Sequence, residues 1–562
     1  MTIRTRIHRP QVFDGTTVIG ERDVLIADDG KITVEGPTEF AGADGAVDGT
    51  GCMLMPGLID AHAHLWSDEA RAESAAFGVT TSLDMFSPPG ATLPRTEWVP
   101  VADARTAAWP ATAPGGHGTE YGIGIPVVSG DTDPDQFVAS QIRNGAAYIK
   151  VIVDHSRGAG ALPEPTIRAI TAAAHQHGLL ALAHIALAED AVIAIECGVD
   201  ALMHCPIDDA TTVLTGAPGI MVPTLTTLHA GFNPDVAPLL DDERVTRWLT
   251  RDALQGLESF WQLPNWWTWH GVLGNVAAAH AAGWRILAGT DASMPATAHG
   301  ASLHHELELL VDAGLTPTEA LRAATSATAE TFSLDDRGRV VAGARADLVL
   351  VRGDAATDVT TSRNIEGVWA NGQRFDHAAW RERIILHDEH LHHRPTIPHR
   401  ARTAIPNPAA RVHVVTDQEH GGTSTASAQN IGNGAARITA VVREQAFGIA
   451  SAGLTWVLST DDDGINLSDT VGLRISATSP TPVTLAVAID SGNPIRQPQT
   501  ATVLIGHEPV TLPWASIAQV DLERVRTISF LTTQPGEHEI TYDGIAVIES
   551  LEEIHLVEGS TS

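Results

Sequence analysis

The stretch PGLIDAHAHLW places His62 and His64 two residues apart. On a strand such residues project from one face, so both imidazoles can reach a single divalent ion. The pair is a weak signal alone, because a chain with 26 histidines should contain about one His-x-His by chance. Two others do occur. HQH at 175–177 falls in an expected helix, where positions i and i+2 diverge, and HLH at 390–392 lies in a His- and Pro-rich stretch. His62 and His64 stand out through their company: His184 closes the apolar run LLALAH, His204 closes DALMH, and Asp291 closes RILAGTD. Lys150 sits within AAYIKVIV and is one of two lysines in the chain, Lys31 being the other. A charged amine in an apolar strand is costly. Unlike a guanidinium, however, a buried amine can lose its proton and act as a nucleophile. The plain alternative is a lysine snorkelling from a strand end.

The positions of these residues imply an architecture. From 57 to 337, apolar runs (GLIDAHAH, VTTSLDM, AYIKVIV, GLLALAH, DALMHC, IMVPTL, RILAGTD) alternate with Ala-rich helical stretches at 164–177, 187–197, 270–282 and 316–331. Buried strands alternating with helices predict an α/β fold, a (β/α)8 TIM barrel whose third strand lies somewhere in 101–114. In such a barrel the C-terminal strand ends converge on one face, so four His, one Asp and one Lys there predict a metal site. Residues 1–56 and 338–385 read as short strands on both flanks, able to pair as one composite β-sandwich. Residues 386–410 read as a His/Pro-rich linker, and 411–562 as a separate all-β, jelly-roll-type sandwich with strands in TVGLRISA, VTLAVAI, TATVLIG and RTISFLT.

Composition removes several functions. With 35 basic against 68 acidic residues the net charge is −33, which disfavours nucleic acid and anionic membrane surfaces. Three cysteines in 562 residues do not make a disulfide framework. No apolar targeting segment opens the chain, and the expectation is a cytoplasmic protein. A small-molecule substrate and a homo-oligomer are expected.

The motifs PGLIDAHAH, IKV, ALAH, DALMHC and LAGTDA, in that order, resemble those of the metal-dependent amidohydrolase superfamily. The tail LHHELELLVDAGLTPTEALRAATSATAETFSL with GRVVAGARADLVLV is similar to its imidazolonepropionase-like and prolidase-like branch. The resemblance covers residues 1–375. It implies two divalent ions, Zn²⁺ in the first place with Mn²⁺, Co²⁺ or Fe²⁺ as alternatives, bridged by a CO₂-derived carbamate on Lys150. His62, His64 and Asp291 would hold one ion, His184 and His204 the other. It further implies hydrolysis of an amide-type C–N bond of a small molecule (a dipeptide, an N-acyl amino acid or a cyclic amide) by attack of a metal-bridging hydroxide. Asp291 would move the proton to the leaving amine. Ester, lactone or phosphoester hydrolysis at the same centre is the alternative, and a non-catalytic binding protein a more distant one. Single-metal deaminases of the superfamily carry His-x-x-Glu after strand 5. Here the residue three after His184 is Leu187.

PGGHGTEYG resembles a Gly-Gly-His segment of the prolidase-like branch, which makes His117 a candidate substrate contact; a solvent-facing His on a Gly-rich loop fits equally. FWQLPNWWTWH (260–270) reads as loop packing ahead of an apolar pocket wall. Neither His229 nor Cys205 is assigned chemistry. GINLSDTVGLRISATSPTPVTLAVAI resembles CIA30-like, galactose-binding-type sandwiches, implying a carbohydrate or protein ligand, packing on the enzyme, or assembly.

Overall fold

The computed structural model describes residues 3–36, 45–66, 68–88, 100–119, 125–156, 160–216, 218–233, 238–259, 267–392, 412–416, 425–432, 435–442, 452–457, 472–490, 499–506, 510–514, 525, 527–532 and 536–548. The chain forms two compact units. The first is Met1–Pro114, Ile125–Ser156 and Ala161–Ile385; the second is Gly115–Gly124, Arg157–Gly160 and Leu386–Ser562.

The first unit contains eight parallel strands in barrel order: Leu58–Ala63, Val79–Asp84, Asp103–Thr106, Ile149–Ile152, Ala181–His184, Ala201–Met203, Ile220–Val222 and Arg285–Ile286, here strands 1 to 8. They do not make the uninterrupted ladder expected of a closed barrel. Strands 3-2-1 pair in one sheet and 4-5-6-7-8 in another. Isolated bridges stand at the two seams, Thr106–Ala146 and Ala111–Val151 at the first and Ala63–Ala292 at the second. The second seam has a local cause. The N–H groups of Thr290 and Asp291 both donate to the His62 carbonyl, at 3.1 and 2.7 Å, a bulged arrangement that ends regular pairing. Strands 4 and 5 pair with Lys150 opposite Leu182 and Ile152 opposite His184, so Lys150 lies two residues short of the level of His184.

Helices Glu164–Gln176, Ala188–Glu196 and Trp269–Ala281 occupy the expected stretches. The expected 316–331 helix is instead two, Pro317–Ala323 and Ser326–Thr331. The carbonyls of Ala323 and Ala324 are taken by the N–H groups of Ala288 and Ile59, from the strand 8 and strand 1 segments, and so cannot continue a helical ladder.

The flanks do combine. One six-stranded sheet runs Gln373–Arg374, Ile365–Ala370, Leu348–Arg352, Cys52–Pro56, Gln11–Phe13, Val18–Glu21. A four-stranded sheet (Ile32–Glu35, Asp23–Ala27, Ile3–His8, Ala46–Asp48) shares a core with it through Ile7, Val24, Ile26, Leu54, Leu348 and Trp369. The helix His377–His392 runs into the stretch expected to be linker, because its residues are helix formers up to the proline at 395. The rest of that stretch lies outside the described residues.

A buried acid ties two helices of this unit. Glu73, on the helix Asp68–Ala76, accepts from Thr250 N and Thr250 Oγ1, each at 3.1 Å, where Thr250 caps Arg251–Glu258. Burial pushes its carboxyl up to about 8. The folded chain therefore keeps a proton that the unfolded chain releases above about 4.5, and stability should fall as pH rises through that window. Glu73→Gln keeps an acceptor for Thr250 and removes the titration. Unfolding free energies from urea titrations at pH 5 and pH 8 should diverge less for the variant than for wild type, each tenfold difference in proton affinity being worth about 1.4 kcal/mol at most. An identical pH dependence in both would refute this.

In the second unit two antiparallel sheets form a sandwich. Their orders are Val412–Thr416, Ala452–Val457, Thr527–Thr532, Val483–Asp490, Gln499–Ile505 and Thr425–Gly432, Ala435–Val442, Gly536–Ile548, Gly472–Thr478, Val510–Pro513. Leu473, Ile475 and Ile540 from one sheet and Leu485, Ile528 and Phe530 from the other share one core. Among the described residues, no helix is long and apolar enough to cross a membrane.

Candidate metal centre

His62, His64, Lys150, His184, His204 and Asp291 all lie at or just beyond the C-terminal ends of strands 1, 4, 5, 6 and 8, apart from Lys150, which is within strand 4. The imidazoles form a chain. Ring centroids are 5.5 Å apart for His62 and His64, 4.7 Å for His62 and His204, and 4.6 Å for His184 and His204. Ligand atoms of His62, His204 and Asp291 lie within 4.8 Å of one another. Asp291 Oδ1 is 3.2 Å from His62 Nε2 and 3.0 Å from His64 Nε2.

The hydrogen bonds fix which ring nitrogens face inward. His64 Nδ1 is 3.0 Å from the Phe86 carbonyl, which can only accept, so Nδ1 carries a proton. Its Nε2 faces Asp291 Oδ1 at 3.0 Å, a separation that two ligands of one ion can also have. His204 Nδ1 shares a 2.7 Å hydrogen bond with Thr224 Oγ1, which orients the ring.

Electrostatics agree. Burial, reinforced by the Lys150 charge, lowers His62 to about 3, so its ring is neutral. Burial would raise the Asp291 carboxyl, but the neighbouring His62 and His64 overcome that and hold it well below the carboxylate range. Lys150 is 3% exposed, and burial lowers it to about 7 against the opposing pull of Asp291 and Asp84. A neutral His62, an ionised carboxylate and an amine able to shed its proton near neutrality are states that suit a divalent cation. The donor atoms of His62, His204 and Asp291 lie close enough together to share one ion.

Buried polar side chains hold these residues in place. Asp60 Oδ1 accepts from the backbone N–H groups of His62 and Thr290, each at 3.1 Å, and its Oδ2 from Thr290 Oγ1 at 2.6 Å, so one carboxylate ties strand 1 to the Asp291 loop. Asp84, at the end of strand 2, accepts from Leu65 N, Ser87 Oγ and Thr106 Oγ1. His204 and Asp291 have left-handed backbones, φ 89° and 61°, an uncommon state for such residues that re-aims the side chain after each strand.

Of the other sequence candidates, His229, Cys205 and His175 fall elsewhere. His117 is half-buried in the Gly115–Gly124 segment of the second unit. His229 Nδ1 contacts His305 Nε2 at 3.3 Å and its ring packs on Trp269, which fits the packing reading for the described part of the Trp-rich stretch. Cys205 is buried beside the carbonyls of Pro206 and Val272, and burial pushes its thiol far up, which rules out a ready thiolate. His175 pairs with Asp200 at the end of the helix that His177 caps.

The structure adds residues the motifs did not indicate. Phe86 packs on His64 and on Trp66 and Trp109, with centroids 6.0, 5.1 and 5.9 Å away, an aromatic wall at the strand 1–3 side of the site. Asp154 lies two residues beyond strand 4, buried, with Oδ2 3.9 Å from His184 Nε2.

Comparison with known proteins places this arrangement. A Xaa-Pro dipeptidase with methionine in its active site is similar in structure at 19% identity and TM-score 0.52, the match covering 66% of this chain and 99% of that one. An ochratoxinase of A. niger is similar at 18% identity and TM-score 0.53, covering 67% and 96%. Both show a shared fold. In sequence, an adenine deaminase of Lysinibacillus sphaericus (strain C3-41) is 29% identical over 109 residues, which span 18% of this chain and 17% of that protein. The sequence model of the amidohydrolase family matches residues 53–375, more than half of the chain and all of the ligand-bearing strand ends, and the chain therefore belongs to the amidohydrolase family.

Proposed function

We propose that this protein is a binuclear metal-dependent hydrolase that cleaves an amide-type C–N bond of a small molecule. The observation that carries the reading is the convergence of His62, His204 and Asp291, whose ligand atoms all lie within 4.8 Å of one another, with His64 Nε2 3.0 Å from Asp291 Oδ1. Bound there, two divalent ions, Zn²⁺ in the first instance, would supply Lewis acidity, activating water and polarising the substrate carbonyl. The chain's own residues do the rest. Lys150, as its carbamate, contributes a carboxylate in place of an ammonium, so that strand 4 attracts cations. Asp291, ionised and fixed by the Asp60–Thr290 contacts, takes a proton from the attacking water. It then passes that proton to the leaving nitrogen, allowing the C–N bond to break.

The aromatic wall of Trp66, Phe86 and Trp109 beside His64 favours substrates with an apolar group next to the scissile bond, as in N-acyl amino acids and dipeptides. His117 is retained as a candidate substrate contact. Deamination, suggested by the local likeness to a deaminase, is disfavoured by Leu187 and by Lys150. The C-terminal sandwich we assign to assembly or to binding a carbohydrate or protein.

Metal analysis should find two equivalents per chain after metal-replete purification, and chelation should remove turnover. A dipeptide and N-acyl amino acid library screened with Zn²⁺ or Mn²⁺ should yield a substrate. Less than one equivalent of metal, or a metal-loaded chain that hydrolyses esters and no amide, would overturn the reading.

A further inference from the structure

We infer that Asp154 is a ligand of the second ion, beside His184, a role the sequence motifs do not indicate. The inference rests on the binuclear reading above and extends it. Strand 4 places Lys150, Ile152 and position 154 on one face by simple alternation. Pairing continues past the strand's end, since Val153 N donates to the His184 carbonyl at 2.9 Å, so Asp154 stays beside strand 5. The side chain is buried. Oδ1 accepts from the backbone N–H and hydroxyl of Ser156. Oδ2 is directed at His184 Nε2, 3.9 Å away.

That distance separates two roles. A hydrogen bond between nitrogen and oxygen needs about 3.2 Å or less, so Asp154 does not orient His184 by direct hydrogen bonding. Two ligand atoms each about 2.1 Å from one ion can stand up to about 4.2 Å apart, so 3.9 Å fits a shared ion at a wide angle. Asp154 and His184 also belong to a group whose ligand atoms all lie within 4.8 Å of one another, as ligands of one ion do. With Asp154 added, each ion has two imidazoles and one aspartate, joined by the Lys150 carbamate. The second position thereby gains an oxygen donor and one more negative charge.

The test is equilibrium dialysis of the metal-stripped full-length chain against Zn²⁺ alone. Wild type, Asp154→Asn, Asp154→Ala and Ser156→Ala are compared. Wild type should bind two equivalents. Both Asp154 variants should keep one tight equivalent and bind the second about 100-fold more weakly or not at all, beyond the usual effect of an outer contact. The retained first equivalent reports an intact fold. Ser156→Ala removes the hydroxyl contact to Asp154 Oδ1 and should keep both. If wild type binds two and Asp154→Asn binds two with equal affinity, the Asp154 assignment fails and the binuclear reading stands. Loss of both equivalents in Asp154→Asn would also count against a role confined to the second ion. A wild-type chain binding fewer than two overturns the binuclear reading and the inference with it.

Discussion

Replacing Lys150 by arginine is expected to abolish turnover, by at least about 1,000-fold, or roughly 4 kcal/mol of transition-state stabilisation. It should also leave the chain with at most one tightly held metal ion. The substitution looks conservative and keeps a positive charge, which is why it discriminates. Burial lowers the Lys150 amine to about 7, so a neutral nucleophilic form exists near physiological pH and can add CO₂. A guanidinium stays protonated and cannot. In Lys150→Arg a fixed cation would face His62 and the site of the ions, repelling the metals that a carbamate would bridge. Lys150→Ala separates charge from carbamate: it vacates the position without adding a cation, and a small carboxylate such as formate should restore part of the activity there and none in the arginine variant. Normal metal content with normal turnover in Lys150→Arg would end the carbamate hypothesis.

The same residue shows why much of this site was readable in the sequence. A lysine between apolar residues, and polar residues closing apolar runs, conflict with the local pattern, and such conflicts concentrate where function overrides packing. His62, His64, His184, His204 and Asp291 each stood at the end of a run whose strand identity was plain. Asp154 gave the same kind of signal at the end of IKVIVD, but Asp is also an ordinary turn residue after a strand. Only its distance to His184 distinguishes the two cases. The aromatic wall was harder still, because Trp66, Phe86 and Trp109 come from three separate strand ends and no spacing links them. The Trp-rich run at 260–270 was conspicuous by composition, yet Trp269, one of its two described tryptophans, packs on His229 and Phe232. The split helix after 316 was illegible for a related reason: propensity favours continuation, and what interrupts it is a pair of carbonyls claimed by distant strands. The broken ladder likewise depends on how Thr290 and Asp291 both reach His62, a long-range contact that periodicity does not encode.

Asp291→Asn should divide the two jobs of that residue, and it is the second substitution expected to silence the enzyme. An asparagine oxygen can still meet a cation in place of Oδ1, so at least one equivalent of metal should remain, held less tightly. It cannot accept the proton of an attacking water and return it to a leaving amine, because a neutral amide is a very weak base. General acid–base catalysis is commonly worth about 10²–10⁴-fold, and kcat is expected to fall by about 1,000-fold with a much smaller change in KM. The backbone should tolerate the change, since asparagine adopts the left-handed φ of 61° more readily than most residues. The contrasting case is an Asp291 that serves only as a ligand. Then saturating Zn²⁺ would return the asparagine variant to near wild-type turnover, and that recovery would remove Asp291 from the proton pathway. Failure of excess metal to rescue kcat, in a chain shown by metal analysis to be loaded, assigns the loss to proton transfer.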